Sequence, residues 1–461
     1  MLVIKELRIY KQKNIFCTFE VLIINSKQHC LMKTRLFYLP FLLLFASCIN
    51  TNQTAKTLEE AATEEEVPDY TLSTEESKLI SSSNAFGLKL FQQLSNKENE
   101  KSIVFSPTAV IYSLNMLNNG AAGKTKQALC HVLGYSEKQL DDVNKLNKKI
   151  LIGQRRETFS NIGAGNSKDK KSSNGYMVTA NFIALNEATE LLPEYQKALQ
   201  DYYFTNIIAS ANQQEEKIKA DTLCAKVTKG DITTLPIDVS TPYSAQIINA
   251  VALRIPWSYE FMEESTDLQT FYKQDGKQTK VHMMHTVDQD KNFRGYEGKE
   301  YKVLTLGMQN GFNMYVVLPN KGYQLRDIIN NFKDSTLYKL TELHKQYDEV
   351  EIALPKFSTS IKLPLKELYT KSGLGVLFSQ QAADFSQMSP SPLYIDKVYQ
   401  QIRLDVNEKG VAAKAVQSTS MMTLGMTTHP TRFTFTADHP FFYYITDQFG
   451  NVCFMGKFMG E

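Results

Sequence analysis

His282 and His285 flank Met283-Met284, and an H-x-x-H pair can begin a metal site when a third ligand converges on it. In an extended strand the odd spacing sends the two imidazoles to opposite faces. No acidic third ligand stands nearby in the sequence, so they read as ordinary strand histidines and no metal is expected. Nucleophilic hydrolysis needs a serine or cysteine in a recognisable setting, yet neither G-x-S-x-G nor H-E-x-x-H occurs. Paired carboxylates can do acid–base work, but nothing singles a pair out. Arg155-Arg156 would suit a glycosaminoglycan or cofactor, although two arginines in a loop are ordinarily solvated. Glu64 to Glu66 read as tether charges rather than a calcium site, and the single tryptophan, Trp257, as a core anchor. The chain is expected not to be an enzyme and to carry no cofactor.

The segment of most unusual composition is EKGVAAKAVQSTSMMTLGMTTH, from Glu408 up to Pro430. It is longer than an ordinary connection, which implies a functional loop or a linker. It contains no proline, Gly410 leaves its start free to hinge, and Val411, Ala412, Ala413, Ala415 and Val416 are small or β-branched. A loop that becomes a strand inside a sheet must keep every N–H and present small apolar side chains to the interior. Counted in twos from Val411, the inward set is Val411, Ala413, Ala415 and Gln417. The outward set is Ala412, Lys414 and Val416, which puts the lysine in water. Gln417 is the weak member, because an inward amide needs partners.

Around this segment the chain of 461 residues is 43% hydrophobic and 11% aromatic, the composition of a globular protein with a large core. A formal charge of +2 with interleaved signs creates no field for nucleic acid. Near the N-terminus, Met32, Lys33 and Arg35 precede an apolar run from Leu36 to Phe45 and then Ala46-Ser47-Cys48. About ten helical residues rise only ~15 Å, half a bilayer core, so residues 32–47 read as a secretory signal rather than a spanning helix. Residues 1–31 are set aside as upstream leader, since Met32 is a natural start. The acidic, polar stretch 48–75 reads as a solvated tether.

From 76 to 461 the apolar periodicity is continuous and predicts one domain. Phe86, Leu90 and Leu94 recur at helical spacing, as do Leu114, Leu117 and Ala121. Gly163 to Gly175 reads as a surface loop. The second half reads as strands: Phe312 to Leu318 and Phe433 to Phe435 alternate, and Val398, Ile402, Leu404 and Val406 share a face with Gln400. Phe441 to Ile445 is apolar on both faces, Asp447 to Gly450 turns, and Val452 to Met455 returns. Alternation implies strands buried on one face, and helices first with strands later suggests an α+β fold. Of the six cysteines, Cys17 and Cys30 lie upstream and Cys48 ends the signal. Cys130, Cys224 and Cys453 are too few and scattered for a disulfide framework, and read as small buried hydrophobes.

Several short motifs occur in an order and spacing that resemble the serpins. They are Phe105-Ser106-Pro107, Gly120 to Thr125, Thr228 to Ile232, Asn249 with Trp257, Phe261 and Thr266, Leu354 to Phe357, Ala383 to Ser386, and His439-Pro440-Phe441. Glu408, Gly410 and the alanine-rich stretch resemble the family's hinge and reactive loop. The likeness spans roughly 380 residues and implies the serpin fold: a helix-rich N-terminal half around three β-sheets, with an exposed loop (about 408–430) that inserts into the largest sheet. The small-small-Cys ending resembles a bacterial lipoprotein signal, implying lipidation of Cys48 and anchoring at the outer membrane, on its periplasmic or surface face, or else extracellular release. Phe45 departs from the usual Leu there.

The resemblance implies an irreversible suicide-substrate inhibitor of serine endopeptidases, acting as a monomer. A protease cleaves the loop, an acyl-enzyme forms, and the freed hinge inserts as a strand. About fifteen residues at ~3.3 Å carry the bound protease ~50 Å before its water step. Family spacing from Glu408 puts the scissile bond at Leu424-Gly425, with Met422 and Met426 as rival sites. Leucine suits chymotrypsin-, elastase- or subtilisin-like pockets and not a trypsin-like one. Papain-like cysteine proteases are an alternative target, and a serpin-fold binding protein that never inserts its loop an alternative function. Two features depart from the inhibitory pattern. Val411 stands in place of Thr, and Gln400 in place of a sheet-opening His, near Ser106, Asn249 and an Ala109 that replaces Ser.

Overall fold

Ser73 starts the first helix, α1 (Thr74–Lys97): its hydroxyl accepts the Glu76 amide, and the Glu76 carboxylate accepts the Ser73 amide. The reciprocal pair satisfies two N–H groups that a helix start leaves orphaned. The computed structural model describes residue 57 and residues 71–156, 175–186, 188–210, 212–240, 243–411 and 430–461, and the statements of structure below concern these. The described residues all lie in one compact unit, Ala55–Glu461, and residues 1–54 are outside the described set. Cys48, the signal at 32–47 and most of the tether therefore lie outside the described residues, as does nearly all of the loop at 163–175.

After α1 come β1 (Ile103–Phe105), α2 (Pro107–Gly120), α3 (Gly123–Leu133), α4 (Leu140–Arg155), β2 (Tyr176–Asn186), α5 (Pro193–Tyr203), β3 (Asn206–Ser210), α6 (Gln213–Val227) and β4 (Ala245–Pro256). Pro107 at the first position and the Ser106 cap start α2, nearly all of which is buried. The remainder is mostly strands: β5 (Thr266–Tyr272), β6 (Gln278–Asp288), β7 (Arg294–Glu297), β8 (Tyr301–Gly307) and β9 (Asn313–Pro319). Two helices, α7 (Leu325–Asn331) and α8 (Asp334–Leu343), precede β10 (Lys345–Gln346), β11 (Glu349–Pro355) and β12 (Phe357–Pro364). The chain ends with β13 (Lys397–Asn407), β14 (Gly410–Val411), β15 (Arg432–Thr436), β16 (Phe441–Thr446) and β17 (Val452–Phe458).

Three sheets result, so the class is α+β. One runs β12-β13-β14-β4-β2-β3, a second β1-β17-β16-β9-β8-β7-β10, and a third β15-β11-β6-β5. Two features differ from the sequence expectation. First, β2 and β4, interior strands of the first sheet, lie well before Phe312, where the runs read as strands begin. Both are buried on both faces, so polar and apolar residues do not alternate along them and no period tells strand from helix. Second, β9 is buried on both faces although its residues alternate. Met314, Val316 and Leu318 meet one core cluster while Tyr315 and Val317 meet another, because this strand divides two cores.

Candidate functional site: the hinge and the sheet seam

β13 and β4 are direct parallel neighbours from Lys397 opposite Gln246 to Arg403 opposite Ala252. Beyond that the two strands part, and β14 lies between them. Val411 faces Val406 on one side and Ile255 on the other, and Gly410 faces Asn407 and Pro256. The sheet is closed along most of the seam and open at one end by the width of a strand, ~4.8 Å. The chain turns into the gap through a tight hairpin at Glu408-Lys409, with the Lys409 amide donating to Asn407 Oδ1 at 3.0 Å. Gly410 has φ 141°, and a Cβ there would lie 2.5 Å from Ile255 O and 2.6 Å from Pro256 Cα. What the sequence offered as freedom is here a steric requirement for glycine.

Both hinge residues are gripped. The Glu408 side chain is only 6% exposed. Its carboxylate accepts Lys356 Nζ at 3.0 and 3.2 Å and Thr266 Oγ1 at 2.9 Å. Burial pushes this acid up, but bonds from its own backbone, Lys356 and Thr266 outweigh burial and hold it below the ordinary carboxylate range. Glu408 O accepts the Phe261 amide at 2.8 Å, and Lys409 O the Trp257 amide at 3.0 Å. The Trp257 indole donates to Asn407 O at 2.8 Å. Trp257 is thus a core anchor with a particular load, the hairpin itself.

Lower in the seam, Gln400 is fully buried and bonds both backbone groups of Ser106: Ser106 N donates to Oε1, and Nε2 donates to Ser106 O, each at 2.9 Å. Asn249 is opposite Gln400 in the ladder, but its side chain turns elsewhere. It accepts the Ser113 hydroxyl and donates to Asn181 Oδ1 at 2.7 Å, and Asn181 donates to Tyr203 O at 2.9 Å. Ser106 and Gln400 are therefore brought together, while Asn249 belongs to an adjoining network. Gln400→Leu keeps the volume but leaves the Ser106 N–H and C=O without partners in the core. It should cost ~2–4 kcal/mol, read as a lowered urea midpoint.

Comparison with known proteins fits this geometry. The profile of the serpin (serine protease inhibitor) family matches residues 81–460. The chain belongs to the serpin family. It is 28% identical over 434 residues to an uncharacterised serpin-like protein of Methanosarcina mazei, covering 90% of this chain and 94% of that one. It is 24% identical to serine proteinase inhibitor 1 of vaccinia virus, covering 80% of this chain and 99% of the viral protein. The native structure of the thermophilic serpin tengpin superposes with a TM-score of 0.71 at 21% identity, covering 85% and 95% of the two chains, a likeness of fold.

Ala412, Ala413, Ala415, Leu424 and Gly425 of this serpin lie outside the described residues, as do the rival sites Met422 and Met426. The far end of the loop is anchored where the chain re-enters. Asp348 accepts the Thr431 amide at 2.8 Å, the Thr431 hydroxyl at 2.9 Å and Lys291 Nζ at 3.0 Å. The Thr431 amide, foremost, and Lys291 pull the Asp348 carboxyl down to about 2. A carboxylate depressed in the folded state holds its contribution above its ordinary value, near 4, and loses it as pH falls through the folded value. The Thr431 amide should keep its protection from hydrogen exchange at pH 3 and lose it near pH 2. Asp348→Asn should show weak protection at both.

Two sequence expectations need correction. An acid does stand beside the histidine pair: Asp267, on the neighbouring strand, bonds His285 Nε2 at 3.1 Å. His282 pairs instead with Leu268, and among the described residues no three potential ligands converge on a metal position. Arg155 is not a solvated loop residue. It ends α4, is 3% exposed, and lies 4.4 Å from the Tyr176 ring centre. Cys130, Cys224 and Cys453 are buried free thiols, and burial raises Cys224 to about 12, which keeps it unreactive. Ser113 and Asn181, the actual partners of Asn249, carried no local signal, since a lone Ser in a helix and a lone Asn in an apolar strand look unremarkable in a linear chain.

Proposed function

We propose that this serpin is an irreversible suicide-substrate inhibitor of serine endopeptidases with apolar primary specificity, cleaved at Leu424-Gly425. The observation that carries the reading is β14: the first residues of the loop already occupy the place of an added strand, paired on both sides. Of the residues that follow, Ala412, Ala413, Ala415 and Val416 are small or β-branched, Lys414 falls on the outward face, and none is proline, so they can extend the same strand. The inhibitor supplies no catalytic group. Its contribution is a native fold that relaxes faster than the acyl-enzyme hydrolyses. Cleavage detaches the loop from its Asp348 anchor, and the Gly410 end carries the acyl-linked protease along the seam.

The Met32 to Cys48 segment supports export as a lipoprotein held at a membrane through Cys48, and the body acts as a monomer. The test of function is incubation with chymotrypsin, elastase and subtilisin, resolved on a denaturing gel. An SDS-stable band at the summed mass, and a released fragment beginning at Gly425, are expected. A nicked serpin beside fully active protease would instead identify a serpin-fold protein that does not trap, and a band formed only with a papain-like enzyme would move the target class.

A further inference from the structure

The seam has a second end, away from the hinge, and it is clasped. Asp396, just ahead of β13, accepts the Ser244 and Ala245 amides at 2.6 and 3.0 Å and donates its own amide to Ala245 O at 2.9 Å. One residue on, Lys397 Nζ pairs with the Asp238 carboxylate. Asp238 belongs to the segment between α6 and β4, and it is fixed to β4. Its amide donates to Gln246 Oε1 at 3.1 Å, and Gln246 Nε2 donates to Asp238 O at 2.7 Å. Ser240 orients the carboxylate by donating its amide and hydroxyl to Oδ1 at 2.9 and 2.5 Å. Gln246 and Lys397 are themselves partners in the ladder. Asp238 must therefore travel with β4 and Lys397 with β13, and the ion pair bridges the line along which the sheet has to part.

We propose that the Lys397–Asp238 pair is a clasp that sets the rate at which the inserting strand completes its passage; the inference rests on the loop-insertion reading above. Adding a strand widens the spacing between β13 and β4 from one inter-strand distance to two, ~4.8 Å more, and no contact ion pair survives that. The backbone bonds around Asp396 are replaceable, because an entering strand brings its own N–H and C=O groups. The ion pair is not: from Lys409 to Pro430 the chain holds no Asp or Glu, so the arriving segment offers Lys397 no carboxylate. Both side chains are about seven-tenths shielded, which keeps the pair from being a freely screened surface contact. The clasp stands at the end of the path, where delay gives the acyl-enzyme time to hydrolyse. Lys397 and Asp238 are positioning residues that divide cleaved inhibitor between trapped complex and released product.

The uptake measurement needs no target protease, and the nicked form is made with one that is not trapped. A synthetic peptide of residues 411–424 is offered to the uncut protein, and its uptake is followed by native gel. Lys397→Met and Asp238→Asn should each take up peptide roughly fivefold faster than wild type, about 1 kcal/mol of barrier. Lys397→Arg, which keeps the charge, should match wild type, and the melting temperature of loop-nicked protein should be the same in all four. Equal uptake rates in wild type and both neutral variants overturn the clasp. So does an equal fall in melting temperature of nicked and uncut forms, which would make the pair a general stabiliser. If wild type takes up no peptide and nicking leaves its melting temperature unchanged, the insertion reading fails, and the clasp with it.

Discussion

Cleaving the loop of the uncut serpin should raise its melting temperature by more than about 10 °C. The argument starts from Val411, which is fully buried between Val406 and Ile255 while still attached to an uncleaved loop. Once the tether to Asp348 is broken, Ala413 and Ala415 can follow it inward on the same face, each residue gaining a ladder partner on both sides. Backbone bonding returns about what ordering the strand costs, so burial of the apolar face and closure of the parted seam decide the balance. At ~2.1 cal/mol/K per residue, a folded body spanning residues 76–461 unfolds with ~0.8 kcal/mol/K, so a 10 °C rise corresponds to about 8 kcal/mol. Limited nicking within 412–429 by an enzyme that is not trapped, followed by calorimetry of both forms, measures it. Equal melting temperatures would mean that the native fold holds nothing in reserve.

Gly410→Val should separate cleavage from trapping. Its Cβ would overlap Ile255 O and Pro256 Cα, both backbone atoms that cannot swing aside, at a φ that β-branched residues avoid. The cost exceeds about 3 kcal/mol, more than two residues of pairing return, so β14 should be expelled from the seam. The uncut protein should melt lower by less than ~4 °C on the same scale, because expulsion limits the cost to the pairing given up. The larger change is in the fate of the cleaved inhibitor: the strand has lost its starting position and must begin entry from outside. Expected on a denaturing gel is a switch from a protease-linked band to nicked serpin with active protease. A variant that traps at the wild-type ratio would refute the role assigned to the wedged glycine.

How much of this was legible in the sequence follows from the range of the interactions. The alternation of β13 placed Val398, Gln400, Ile402, Leu404 and Val406 on one buried face, as the structure has them, because a period of two is a local property. The strands β2 and β4 were not legible, since burial on both faces erases that period. Among the site residues, Glu408, Lys356 and Thr266 each stood in a recognisable motif, yet nothing in the chain says that all three meet in one ion-paired cluster. They are drawn together by the hairpin, β5 and the start of β12. Asn249 shows the same limit. Its place opposite Gln400 was within reach, but the choice of Ser113 and Asn181 over Gln400 depends on side-chain direction within a packed sheet. The Asp238–Lys397 pair joins a connecting segment to a strand far along the chain, a relation that only the fold creates.

The hairpin's grip on Trp257 gives the molecule an optical probe of its own. This is the chain's single tryptophan, its indole is almost wholly shielded, and its N–H is spent on a carbonyl of the very turn that launches the loop. Any event that moves the turn changes the environment of the one indole fluorophore. Emission wavelength and quenching by iodide should therefore follow insertion in real time, on unlabelled protein, with no second indole to dilute the signal.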